Sequence, residues 1–315
     1  MAERSAFDDL AEVVERLAVL LAAGVAPGSA WGYLAETGST RVREIARVVA
    51  AGGAVVDALR APGIRSRRRR PSRSATSSTG DELAWRGLAA AWRVATEAGA
   101  PLAPTLQRFA ASLRDLGTNE RDARTALAGP RATTRMVMVL PVVGILFGLA
   151  LGFDTVGTLT GSVPGAVCLV LGVGLILLAR WWSAVLIRRA RPPSVVPGLA
   201  LDLMAIAVSG GASIPRARAV VADARDECLL PADSAEQTID EVLALSARAG
   251  VPAALLLRSG ADGARRAARS AGERKAATLA VTLMLPLGLC ILPAFMLLAV
   301  APLMLSVVSS TVGDL

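Results

Sequence analysis

The chain has 315 residues, 53% of them hydrophobic and only 3% aromatic, with a formal net charge of +8 and no histidine. The length disfavours a single small domain, the apolar excess is gathered into three blocks, and the missing histidine excludes histidine triads, histidine metal sites and histidine proton shuttles. Lys275 is the only lysine, so the basicity is arginine, much of it flanking apolar runs, where the positive-inside bias accounts for it without nucleic acid.

Phe7, Leu10, Val13, Val14, Leu17, Leu20 and Leu21 recur at three- and four-residue steps, with Glu12, Glu15 and Arg16 on the other side. This spacing predicts an amphipathic helix with one buried stripe. Gly24 suits its left-handed end, and Pro27 suits the first turn of the next helix, which runs through Trp31 and Leu34. A third helix covers Thr40–Ala51, with Val42, Ile45, Ala46 and Val49 on one face. Gly52-Gly53 breaks it, and Val55, Val56 and Leu59 close the segment.

Residues 61–80 are rich in Arg, Ser, Thr, Pro and Gly, with Ile64 the only large apolar side chain. Such a stretch buries too little to offset its ordering entropy and reads as a disordered linker. Its run Arg67–Arg70 is a solvated loop on composition, with contact to anionic lipid as the alternative. Helices resume at Asp81 along Leu83, Leu88, Trp92 and Ala95. They turn at Gly99-Ala100-Pro101 and continue along Leu102, Leu106, Phe109, Leu113 and Leu116.

Met136–Phe153 carries no charge, and its 18 residues reach about 27 Å as a helix, close to a hydrocarbon core of roughly 30 Å. After the polar turn Asp154–Ser162 a second apolar run begins, broken only by Arg180, and Arg188, Arg189 and Arg191 stop it at the interface. The expected membrane helices are thus 136–153 and 163–187, with a third at 279–305. Gly148 and Gly152 have small-x-x-x-small spacing and offer a packing face in the first of them. Leu199–Val208 competes as a further span. It is too short and contains Asp202, which costs about 3 kcal/mol at a bilayer centre, so a buried core helix is expected. Further helices follow the breaks at Gly210-Gly211 with Pro215 and at Gly250 with Pro252, and a second helical segment is expected over 195–273.

One unit occurs four times: an apolar helix, a glycine–proline turn and a second apolar helix, at Gly24…Pro27, Gly99…Pro101, Gly211…Pro215 and Gly250…Pro252. Each pair of units leads through basic residues to an apolar run with a Leu-Pro step, at Pro141 and at Pro286. A duplicated module is expected. On Leu17–Pro27, Ala91–Phe109, Ala126–Pro141, Leu201–Pro215 and Met284–Phe295 the chain resembles the inner-membrane F-type platform proteins of type II secretion and type IV pilus machines. Within them it resembles the tight-adherence (Flp) pilus assembly proteins of actinobacteria. The resemblance implies an all-α membrane protein with two cytoplasmic antiparallel helical bundles, 1–130 and 195–273, and three transmembrane helices. It also implies a non-enzymatic scaffold between a cytoplasmic assembly ATPase and pilin-like subunits, working with a related platform protein or a second copy of itself in the lipid bilayer.

No residue presents itself as catalytic, cofactor-binding or metal-ligating. The lone lysine lacks the Gly-rich loop of a nucleotide site, and no Gly-x-Ser-x-Gly elbow sits between a strand and a helix. Cys168, Cys228 and Cys290 are isolated, without metal or C-x-x-C spacing. The neighbours Asp81/Glu82 and Asp226/Glu227 splay apart on a helix and read as solvated faces. No cofactor and no nucleic acid is expected, and no cleavable leader is visible. A small-solute transporter or channel subunit is the alternative, but it wants polar groups at mid-membrane, which the apolar runs lack. Basic residues before the first run, after the second and before the third put the N-terminus inside and the C-terminus outside.

Overall fold

The computed structural model describes residues 5–61, 75–126, 163–189, 196–231 and 235–302, with isolated positions at 139, 143, 146, 149, 150, 157 and 304. Every regular element among the described residues is a helix, as periodicity predicts. Helix α1 (Ala6–Ala22) opens on a reciprocal cap: the Ser5 side chain accepts from the first turn, and Asp8 accepts from the Ser5 backbone at 3.3 Å. It ends in a Schellman turn, with the Val25 N–H donating to Leu20 at 3.0 Å, the Gly24 N–H donating to Leu21 at 3.1 Å, and Gly24 at φ 86°. Pro27 then starts α2 (Pro27–Thr37), and α3 (Thr40–Ala50) and α4 (Val55–Arg60) follow.

Helix α5 (Ala75–Ala98) is the hub, packed against α1 and α4 and against two later helices, α8 and α9, described below. Its sequence shows why it can sit there. Ala84, Ala89, Ala90, Ala91, Ala95 and Ala98 are buried on all sides, with Trp85, Leu88, Trp92 and Val94 between them. Small side chains let neighbours approach from every direction, so the helix is buried all round rather than along one stripe. Trp92 packs against the fully buried Trp31 of α2, with ring centroids 6.4 Å apart. Burying a side chain of this size contributes about 1.5–3 kcal/mol.

The start of α5 corrects the linker boundary: residues 75–80, read as the end of a disordered 61–80 segment, are helical. No proline lies between Pro71 and Pro101, and extending an existing helix through Ala, Ser, Thr and the single Gly80 costs at most roughly 1 kcal/mol per residue in propensity. Residues 62–74 of that expected linker lie outside the described residues.

Helix α6 (Leu102–Ala126) is tied to α1 by ion pairs, Arg114 with Glu15 and Arg121 with Asp8, and by the Ser5 hydroxyl, which donates to Glu120 at 2.5 Å. Helix α7 spans Val163–Arg189. Helix α8 (Leu199–Ser209) is the expected core helix, with Leu199, Leu201, Leu203, Met204 and Ala207 all buried. It packs on α5 and on α9 (Ile214–Glu227). Helix α10 (Glu236–Ala249) ends at Gly250, φ 67°, and α11 runs over Ala253–Thr282.

The chain divides into two units, one of 1–121 with 192–270 and one of 122–191 with 271–315. In the first, one hydrophobic core draws side chains from Leu10 through Leu113 and again from Leu199 through Ala261. In the second, α7 packs against the turns at Leu287–Ile291, Leu292–Phe295 and Met296–Val300 around Ala179, Cys290 and Ile291. A side chain at Gly172 of α7 would collide with Leu298, so the glycine permits this approach. Leu287–Ile291 and Met296–Val300 are π-helical turns that lie just before Pro293 and Pro302. A proline lacks the N–H of the regular ladder, and a widened turn accommodates the displaced carbonyl.

Among the described residues two helices, over Val163–Leu186 and Ala253–Leu298, are long and apolar enough to cross a bilayer, and they overlap two of the three expected membrane helices. The first expected helix, 136–153, with its Gly148/Gly152 face, lies outside the described residues except at Val139, Val143, Leu146, Leu149 and Ala150, which are helical and exposed.

Candidate functional site

The carboxylate pairs that read as solvated faces have separate structural roles. Glu82 is only 17% exposed at its side chain and pairs with Arg41 at 3.1 Å. The same guanidinium donates to the carbonyls of Leu59 and Ala61 at 3.3 and 3.2 Å and lies 4.6 Å from the centre of the Trp85 ring. It thereby ties the start of α3 and the end of α4 to the hub. Burial pushes the neighbouring Asp81 carboxyl above its ordinary range, against the attraction of Arg41. Glu227, at the end of α9, is held by Arg60 at 3.1 Å and by Arg93 of the hub. Among the described residues no group of three His, Cys, Asp or Glu is placed to hold a metal ion.

A cleft of about 130 Å³ opens between α5, α6, α8 and α11. Its walls are apolar, with Ala91, Phe109, Leu199, Ala205 and Ile206, and its polar groups are Thr105, Arg108, Asp202, Ser209 and Arg258. Two of these are internally satisfied: Thr105 donates to the Pro101 carbonyl and Ser209 to the Ile206 carbonyl, each at 2.9 Å. Asp202 accepts from Arg265 of α11 at 2.6 Å, and Arg265 also holds Asp262 at 2.5 Å. Burial raises the Asp202 carboxyl, while Arg265 and then Arg108 pull it down. Among the described residues the guanidiniums of Arg108 and Arg258 make no hydrogen bond or ion pair, so they are the cleft's available donors. Neither was expected from the sequence to be a site residue. They come from helices 150 positions apart, and no local spacing signals their meeting.

The apolar helices of the second unit face outward. Only 17% of the membrane-length window in α7 is buried, and Val163, Val170, Leu177 and Trp181 are each more than 60% exposed. Val281, Met284, Leu285, Leu289 and Leu292 are likewise exposed. A soluble core helix shows the reverse, as α8 does in the first unit. Helices that turn apolar side chains outward over a bilayer's thickness, in a chain whose described elements are all helical, fit the class of helical membrane proteins.

Residues 13–150 match the family model of the Type II secretion system (T2SS), protein F. Over these residues the resemblance read from the sequence holds at the level of this family. No curated protein and no solved structure matches the chain.

Proposed function

We propose that the chain is the non-enzymatic inner-membrane platform of a tight-adherence, Flp-type pilus machine, coupling a cytoplasmic assembly ATPase to the movement of pilin-like subunits. The observation that carries this reading is the protein F domain over 13–150. The two apolar, outward-facing helices supply the anchor, and the helical unit with its own core supplies surface for partners. A second platform subunit, the same or related, completes the machine within the lipid bilayer.

The finer organisation belongs to the same reading. Bundles over 1–130 and 195–273, each leading into a membrane helix, form a duplicated module, with spans at 136–153, 163–187 and 279–305. The repeated turns support it: Gly24, Gly99, Gly211 and Gly250 all have positive φ, between 67° and 89°. Arg131, Arg135, Arg188, Arg189, Arg274 and Lys275 flank the inner ends of the spans, while 154–162 and 301–315 carry no lysine or arginine. That asymmetry supports N-terminus inside and C-terminus outside.

The test is binding between the purified full-length chain and the purified cognate assembly ATPase. The expected results are a stable complex and no ATP hydrolysis by the chain alone. An ATPase that fails to bind the full-length protein sinks the coupling model and leaves a scaffold that faces only the pilin.

A further inference from the structure

We infer that the Arg108–Arg258 cleft receives an acidic side chain, a glutamate or aspartate with an apolar neighbour, presented by a partner protein. The identity of that partner rests on the platform reading above: it is the assembly ATPase.

Charge carries the first part of the inference. Arg108 on α6 and Arg258 on α11 line one cleft, and among the described residues neither guanidinium makes a hydrogen bond or ion pair. The acidic group lining the same cleft, Asp202, is already taken by Arg265, which also pairs with Asp262. Three arginines thus face two carboxylates, which leaves one positive charge uncompensated at the cleft. Like charges held in a partly desolvated site repel, and a carboxylate entering between them removes that repulsion while gaining forked, charge-assisted hydrogen bonds. The hydroxyls of Thr105 and Ser209 donate to backbone carbonyls at 2.9 Å, so the guanidiniums supply the recognition.

Size and lining select the form of the anion. A volume of about 130 Å³ is well under the roughly 300–1,000 Å³ of ordinary cofactor and small-molecule sites. It has room for one acidic side chain and no room for a nucleotide. Phe109, Ala205 and Ile206 give the cleft an apolar wall that a free inorganic anion leaves unused but a side chain's methylenes and an apolar neighbour cover. A charged anchor set in an apolar pocket is the arrangement that concentrates binding energy at protein interfaces.

The experiment uses full-length protein in detergent, the purified cognate ATPase as probe, and the variants Arg108→Glu, Arg258→Glu and Arg258→Lys. The thermal midpoint of each variant establishes that it is folded. Both glutamate variants should weaken ATPase binding roughly tenfold or more and flatten its salt dependence, whereas Arg258→Lys should retain part of the affinity. Wild-type protein that binds the ATPase while both glutamate variants bind equally well overturns the cleft assignment and leaves the platform reading intact. Wild-type protein that does not bind overturns both. A parallel titration with inorganic phosphate covers the remaining case. If millimolar phosphate raises the wild-type thermal midpoint but not that of the glutamate variants, and ATPase binding is the same in all, the cleft is a small-anion site and the side-chain assignment is wrong.

Discussion

Asp81 shows how a single carboxyl serves packing at a cost in charge. Its pKa is raised above the ordinary 3.8, with burial as the largest cause and Arg41 pulling the other way. A carboxyl with a raised folded pKa binds its proton more tightly folded than unfolded. Its contribution to stability therefore rises as pH falls from above the folded pKa towards the unfolded value, and at neutral pH its ionised form is destabilising. Asp81→Asn keeps the size of the side chain and a carbonyl acceptor facing the Trp85 side chain, which favours the ionised form of Asp81. The substitution should stabilise the protein at pH 7, and the advantage should shrink as the pH is lowered through the folded pKa. Denaturation of the detergent-solubilised protein at pH 7 and pH 5 measures this. An advantage that grows in acid contradicts the assignment.

At the scale of elements, glycines end the helices for two different physical reasons. Gly250 has φ 67° and open space around it, so only backbone strain opposes a side chain there. Gly210 has an ordinary φ of −77°, but a Cβ on it would overlap the Ala98 carbonyl and lie 2.7 Å from that carbonyl's carbon. There the end of α8 rests directly on the end of α5, backbone against backbone. Gly250→Ala should cost about 1–2 kcal/mol from the left-handed conformation, and Gly250→Asn less, because asparagine tolerates that region. Gly210→Ala should cost about 1–3 kcal/mol from overpacking, and Gly210→Asn more, because the larger side chain worsens the collision. Thermal unfolding of the four variants checks the ranking, and asparagine should rescue one site only. Leu229 makes a related compromise. It closes α9 in a Schellman turn at φ 51° without being glycine, and its side chain is 66% exposed.

At the scale of the whole molecule, thiol labelling tests the proposed orientation, and the structure decides which thiol can report it. Cys228 is fully buried, and burial pushes its thiol pKa up against the pull of Arg60, Arg93 and Arg86. A buried thiol held protonated reacts slowly wherever it lies. Cys228 should therefore resist an impermeant maleimide in intact cells and also after lysis, and react only on denaturation. Glu236, exposed at the start of α10, is the better reporter. Glu236→Cys should label after lysis and stay silent in intact cells. Labelling of that variant in intact cells overturns the proposed topology.

The sequence by itself determined the local order of this protein. Apolar periodicity and glycine–proline punctuation located α1 to α4 and the turns at Gly24, Gly99, Gly211 and Gly250, because helix spacing and the need for positive φ are properties of neighbours in the chain. It also separated α8, a short run interrupted by Asp202, from the long outward-facing α7, because length and charge decide whether a helix suits a bilayer. Tertiary structure alone decided the rest. Alanine is neutral in any periodic pattern, so the all-round burial of α5 shows only once α1, α4, α8 and α9 are packed around it. The same holds for Gly210, whose need for glycine comes from Ala98 over a hundred residues earlier, and for Glu82, removed from solvent by Arg41. The cleft belongs with these. Arg108 and Arg258 are two of many arginines until the fold brings α6 and α11 to one opening and commits Arg265 to Asp202. Partners distant in the chain leave no trace in local spacing, and it is the shared core that brings them together.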